Sequence, residues 1–151
     1  MGRWLGIDYG RRRIGIALGD PGERIASPAT TLHSTGTPAG DARAILRYAI
    51  ENDADGVVVG LPLNMDGSLG PQARLSMDFA AQLRRHGDLS VETWDERLSS
   101  AQADETMRAA GLTRAKRKKQ RDALAAQVIL QSFHDARRAG GGDSPDEGDK
   151  R

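Results

Sequence analysis

The chain has no cysteine. Disulfides, zinc–thiolate sites and thiol nucleophiles are therefore excluded, and the composition suits a reducing compartment. Aromatic residues are scarce, with two each of Trp, Tyr and Phe. Platforms for stacking nucleobases are correspondingly few, and Trp4 and Trp94 are expected in the core rather than on a ligand. No run of about 18 apolar residues occurs, so no membrane-spanning helix is expected. The first apolar run is interrupted by Asp8 and followed by Arg11, Arg12 and Arg13, a pattern unlike a secretory signal. The expected location is the cytoplasm. Net charge is also nearly absent, at +1 from 22 basic and 21 acidic residues.

That balance hides a segregation. Arg114, Lys116, Arg117, Lys118, Lys119 and Arg121 form a basic run without an acid, whereas Asp143, Asp146, Glu147 and Asp149 dominate the last residues. Clustered basic charge is what a polyanion responds to. The length fits one domain that buries roughly 70% of the surface exposed by its unfolded chain. Residues 1–138 are expected to form that domain, and the polar, Gly-rich stretch 139–151 a disordered acidic tail.

Alternation and turn residues suggest strands over Trp4–Tyr9, Arg13–Leu18 and Ile25–Leu32, with Pro28 favouring a sheet edge. Their closeness in sequence predicts an antiparallel meander. Asp41 is a candidate cap for a helix to about Asn52. The run Gly56–Gly60 reads as a strand buried on both faces. Pro71 opens a helix to about His86, and Leu89–Asp95 is a fifth strand. Ser99 or Ser100 would cap a helix ending near Gly111. The last helix is expected from about Gln120 to Arg138. The order β-β-β-α-β-α-β-α-α predicts an α/β fold, a five-stranded mixed sheet flanked by helices on both faces.

Three acids stand out against this layout. Asp8 lies at the end of an apolar strand, where a charge needs compensation. It is either a satisfied strand-end residue or a ligand or catalytic acid. Asp95 and Glu96 stand at the end of the fifth strand, where open α/β sheets place chemistry. Alternation sends them to opposite faces, so one of the two would share a site with Asp8. Asp122 begins a helical stripe continued by Ala126, Ile129 and Phe133. It is either a solvated acid near a helix start or a group reaching over the sheet. Acids from the first strand, the fifth strand and the last helix would repel one another unless a cation stood among them. Hard divalent ions such as Mg²⁺ take such oxygens, and two ions about 4 Å apart can drive phosphodiester cleavage.

Arg11, Arg12 and Arg13, in the turn beside Asp8, are candidate phosphate contacts or a solvated turn. The basic residues Arg114, Lys116, Arg117, Lys118 and Lys119 are candidate nucleic-acid contacts or a solvated linker into the last helix. Asn64 is a weaker site candidate in a loop that also reads as a plain turn. His33, His86 and His134 lack ligand spacing.

Four ordered segments carry a resemblance: GIDYGRRRIGIALGD, VVVGLPLNMDGSLG, WDERLSSAQA and KRKKQRDALAAQVILQSF. Together they resemble the YqgF/RuvX family, whose fold is RNase H-like, over about Trp4 to Phe133. The resemblance implies a triad of Asp8, Glu96 and Asp122 that binds Mg²⁺ or Mn²⁺, with Asp95 left as a capping or strand-end residue. It implies a metal-dependent endonuclease that matures the 5′ end of pre-16S rRNA. Alternatives are a resolvase of Holliday junctions and a ribosome-assembly factor that binds nucleic acid without catalysis. The expected partner is structured RNA or branched DNA, bound by a monomer or homodimer, with no membrane as partner. Asp8, Gly10 and Gly15 also resemble the phosphate loop of actin-like phosphotransferases. Those enzymes bind ATP between two such domains, and this chain has room for one.

Overall fold

The computed structural model describes residues 2–20, 26–99 and 114–140, with side chains from 120 to 139 in the last segment. Its order is β1 (Arg3–Tyr9), β2 (Arg13–Gly19), β3 (Ser27–His33), α1 (Pro38–Glu51), β4 (Ala54–Leu61), α2 (Pro71–His86), β5 (Ser90–Asp95) and α3 (Arg114–Gly140). The strands form one sheet in the order β3-β2-β1-β4-β5. β1 pairs antiparallel with β2, and β2 with β3. β4 runs parallel to both β1 and β5, as a helical crossover requires. The mixed five-stranded sheet is the one expected. Pro28 sits on edge strand β3, beside a register shift opposite Ile16 and Ala17.

Alternation divides the strands between two layers. Leu5, Ile7, Ile14, Ile16, Val57 and Val59 are fully buried and form one core with Ile45 of α1 and with Phe79 and Leu83 of α2. The Tyr9 ring stacks on Phe79 at 4.2 Å between centroids. The opposite sheet face packs on α3 through Trp4, Ala17, Val58, Ala126, Ile129, Leu130 and Phe133. Trp4 is buried against Phe133, and the half-buried Trp94 donates from Nε1 to Ser132 Oγ at 3.0 Å.

Two helix starts differ from expectation. α1 begins at Pro38 rather than after Asp41, with Thr37 as the cap accepting from Gly40 N at 3.0 Å. Thr37-Pro38 is a cap followed by a proline at the first helical position, which leaves Asp41 free for other bonds. α3 begins at Arg114, not near Gln120, so the basic run forms the first turns of the helix instead of a linker. Lys and Arg are good helix formers, and no proline interrupts 114–140. The helix expected between Ser99 and Gly111 falls mostly outside the described residues, as do Ile25 and residues 141–151 of the expected tail. No helix among the described residues is long and apolar enough to cross a membrane.

Candidate active site

The α3 face of the sheet is thin where Asp8 stands. Asp8 is registered opposite Gly15 of β2. A Cβ at Gly15 would lie 1.9 Å from the Asp122 carbonyl oxygen, so only glycine lets α3 cross there. On the other side of β1, a Cβ at Gly60 would lie 2.5 Å from Ile129 Cδ1 and 2.7 Å from Glu96 Oε2. The missing side chains are thus what brings a helix acid and a strand-end acid to the end of β1.

Glu96 opens a short 3₁₀ turn, Glu96–Leu98, immediately after β5. The neighbouring Asp95 is committed elsewhere. It accepts from Arg97 N at 2.9 Å and takes the Arg97 guanidinium on both oxygens, with Nη2 to Oδ2 at 2.7 Å. Those bonds hold Asp95 below the usual carboxylate range. Arg97 Nη1 also donates to Met65 O at 3.0 Å, tying the loop after β4 to the end of β5. This clamp has no signature in the sequence beyond an Asp-x-Arg spacing.

Electrostatics link the three acids through Asp8. Burial, then the Asp122 charge, raises Asp8 to about 6. Burial, then the charges of Asp8 and Asp95, raises Glu96 to about 7. Desolvation and like charge both disfavour the ionised form, so Asp8 and Glu96 ionise only at higher pH than ordinary carboxylates unless a cation offsets them. Hard oxygen donors suit a divalent ion such as Mg²⁺. The spacing is looser than the chemistry: among the described residues, no three acidic or histidine side chains stand close enough to hold an ion.

The third acid is paired with Arg13. Its Nε donates to Asp122 Oδ2 at 2.8 Å, across 109 residues of sequence. Arg13 therefore neutralises Asp122 and is not a free guanidinium of the turn. Arg11 and Arg12 are exposed, and neither forms an ion pair among the described residues. Asn64 lies in the loop after β4, where its Nδ2 donates to Ser68 Oγ at 2.9 Å and its backbone closes a turn with Ser68 and Gly67. Arg114, Lys116, Arg117, Lys118 and Lys119 lie along the first turns of α3, ahead of Asp122.

A second carboxylate, Asp41, is fully buried on the opposite face. It accepts from Tyr9 OH at 2.5 Å, Ser34 Oγ at 2.8 Å, Thr35 N at 2.6 Å and Thr35 Oγ1 at 2.8 Å. Gln72 Nε2 donates to Tyr9 O at 2.7 Å. These bonds fix the residue that follows Asp8. The sequence marks Asp41 as acidic before a helix, which is why it reads as a cap.

The chain is similar to known proteins in sequence and in fold. A family model described as "RuvX: Holliday junction resolvase" matches residues 2–136. A protein of Anaeromyxobacter sp. (strain K), named "Putative pre-16S rRNA nuclease", is 47% identical over 135 residues, covering 89% of this chain and 98% of the relative. A Myxococcus xanthus (strain DK1622) protein of the same name is 43% identical over 136 residues, covering 90% and 89%. Among solved structures, Thermus thermophilus RuvC in complex with Holliday junction substrate aligns with a TM-score of 0.54 at 16% identity. That alignment covers 90% of this chain and 96% of RuvC. At this identity the likeness concerns the fold, which is RNase H-like.

Proposed function

The chain belongs to the RuvX family, and from that premise we propose that it is a divalent-metal-dependent endonuclease acting on the 5′ precursor end of 16S rRNA. The observation that carries the reading is the electrostatic coupling of Asp8 with both Asp122 and Glu96 at the end of β1. Like charge and burial raise Asp8 and Glu96 above the usual carboxylate range, a cost that a bound cation would offset. The curated relatives' names favour ribosomal RNA as the substrate.

In this reading Asp8, Glu96 and Asp122 hold Mg²⁺ or Mn²⁺ by hard oxygen donation. When bound, the metal lowers the proton affinity of a water and stabilises the oxygen that leaves phosphorus. The glycines at 15 and 60 let the backbone of α3 and the Glu96 side chain approach β2 and β4 beside Asp8, and the acids would draw together further on a bound ion. The Asp95–Arg97 clamp orients the turn that carries Glu96. Arg11, Arg12 and the basic start of α3 hold the phosphates on either side of the cut. Asn64 contributes from the loop that Arg97 secures.

The test is a cleavage panel of precursor 16S rRNA ends, Holliday junctions and plain duplexes, with and without Mg²⁺. Parent protein is expected to cut the RNA precursor in Mg²⁺. Asp8→Asn should lower the rate by at least about 10³-fold while retaining a folded thermal transition. Cutting of junctions alone would transfer the assignment to resolution of branched DNA. Equal cutting by Asp8→Asn and parent would end the catalytic reading.

A further inference from the structure

The face of the sheet opposite Asp8 carries features that the acids do not use. Two cavities flank the loop between β3 and α1. The larger, about 460 Å³, is lined by Tyr9, Arg11, Ser34, Pro38, Pro71 and Leu75, among others. The smaller, about 340 Å³, carries Arg43 and Arg47 beside Thr35 and Thr37. No residue lining either cavity is acidic. Arg11, Arg43 and Arg47 are exposed, and none forms an ion pair among the described residues. Arg43 and Arg47 stand one turn apart on α1, so their side chains project from one side of the helix.

The loop between the cavities is not a loose strap. Asp41 beneath it accepts from Ser34 and from both the backbone and hydroxyl of Thr35. With the Tyr9 hydroxyl as well, four donors meet this buried carboxylate. Its charge is thereby compensated below the surface, and what the surface presents is basic. The strip begins at Arg11, three positions after Asp8, and leads away from the acids along α1.

We propose that this strip holds a single strand of nucleic acid leading to or from Asp8, with one unstacked nucleotide in the larger cavity and its neighbouring phosphates on Arg43 and Arg47. The proposal rests on the nuclease reading for its direction. The larger cavity lies in the size range of small-molecule sites. Pro38, Pro71 and Leu75 offer apolar contact to a base, and Arg11 meets a phosphate. A base held in a duplex stays stacked and cannot enter such a hollow, whereas single strands bind by combining a basic track with base contacts. The strip lies on the α1 side, across the sheet from the basic start of α3.

The experiment measures binding of short single-stranded RNA and DNA oligomers of one sequence, by fluorescence anisotropy over a range of salt. Asp8→Asn protein without divalent metal serves as host, so that cleavage does not intervene. Each phosphate contact on a single strand contributes about 0.7 to the slope of log affinity against log salt. The added pair Arg43→Gln and Arg47→Gln should reduce that slope by about 1.4. Leu75→Trp, which fills the larger cavity, should weaken binding about tenfold and leave the slope unchanged. Equal losses with RNA and DNA would identify shared phosphate chemistry, and a larger loss with RNA would identify contacts to ribose hydroxyls. Unchanged slope and affinity in the double arginine variant, with its thermal midpoint intact, would overturn the strip. The cleavage panel fails or succeeds separately, because it turns on Asp8 and not on Arg43 or Arg47.

Discussion

The two faces of the central sheet are built from alternate residues of the same strands, yet they differ in thickness and chemistry. Toward α1 and α2, the strands present Leu5, Ile7, Ile14, Ile16, Val57 and Val59, all fully buried. Toward α3, β1 and its two neighbours present Gly6, Asp8, Gly15 and Gly60 around the acids. One face excludes water by filling space with branched side chains. The other removes side chains so that a helix backbone and three carboxylates can approach. Stability is concentrated on the first face, and the candidate chemistry on the second. The Asp41 network joins them, since it anchors Tyr9 directly after Asp8.

The strongest way to break this division is to disturb each face in turn. Phe79→Ala removes a fully buried ring that stacks on Tyr9. It should cost about 3–5 kcal/mol in urea unfolding, from lost burial and an unfilled cavity. Gly15→Ala adds a methyl where the nearest atom is the Asp122 carbonyl oxygen. That atom belongs to helix backbone and cannot swing aside, so α3 must shift. The stability cost should be smaller, about 1–3 kcal/mol, but cleavage should fall further than with Phe79→Ala measured in conditions where both are folded. Full activity in Gly15→Ala would show that the close approach of α3 is dispensable to the site.

A second test uses pH. In the metal-free fold Asp8 lies at about 6 and Glu96 at about 7, each above its ordinary value. Between about pH 4 and 7 the folded state therefore binds more protons than the unfolded state, and stability falls as pH rises. Asp8→Asn removes part of that fall. It should match the parent near pH 4 and exceed it by roughly 1–2 kcal/mol at pH 8, a range already reduced for the partial exposure of Asp8. Mg²⁺ should narrow the difference by stabilising the parent alone. Thermal unfolding at the two pH values, with and without Mg²⁺, measures this. An Asn variant less stable at pH 8 without metal would mean that Asp8 is satisfied by the fold itself.

Much of this contrast is written in local pattern. Short apolar or β-branched runs bounded by turn residues outline all five strands, from the doubly buried Gly56–Gly60 to the more exposed β3. Asp8 is conspicuous because its neighbours are apolar. The departures come from long-range contacts that no window of sequence contains. Arg13 reads as a free arginine of a turn, since its partner Asp122 lies 109 residues away. Gly15 reads as part of a phosphate-loop resemblance, whereas the need for glycine there is set by the path of α3. Asp41 and Thr37 are both good caps, and the choice between them was legible only in Pro38, the proline that follows Thr37. The basic run before Asp122 reads as nucleic-acid contacts or a solvated linker, and its place in the first turns of α3 follows from the absence of any helix breaker in it.

The smallest expected effect concerns Arg13, where the two readings of the thin face meet. The Arg13 side chain is 61% exposed and that of Asp122 24% exposed. A pair so placed contributes at most about 1 kcal/mol and weakens with salt. Arg13→Gln should therefore barely change stability, and any loss should fade at high ionic strength. Its effect on cation binding should have the opposite sign. The guanidinium occupies an oxygen of Asp122 that a divalent ion would need, so it competes with the ion for that ligand. Removing it should tighten Mg²⁺ binding, by up to about fivefold if the whole pair energy is released. Titration calorimetry on parent and variant measures this directly. Weaker Mg²⁺ binding in Arg13→Gln would instead mean that Arg13 aims Asp122 at the ion. The thin face would then hold its third acid ready by an ion pair, in place of withholding it.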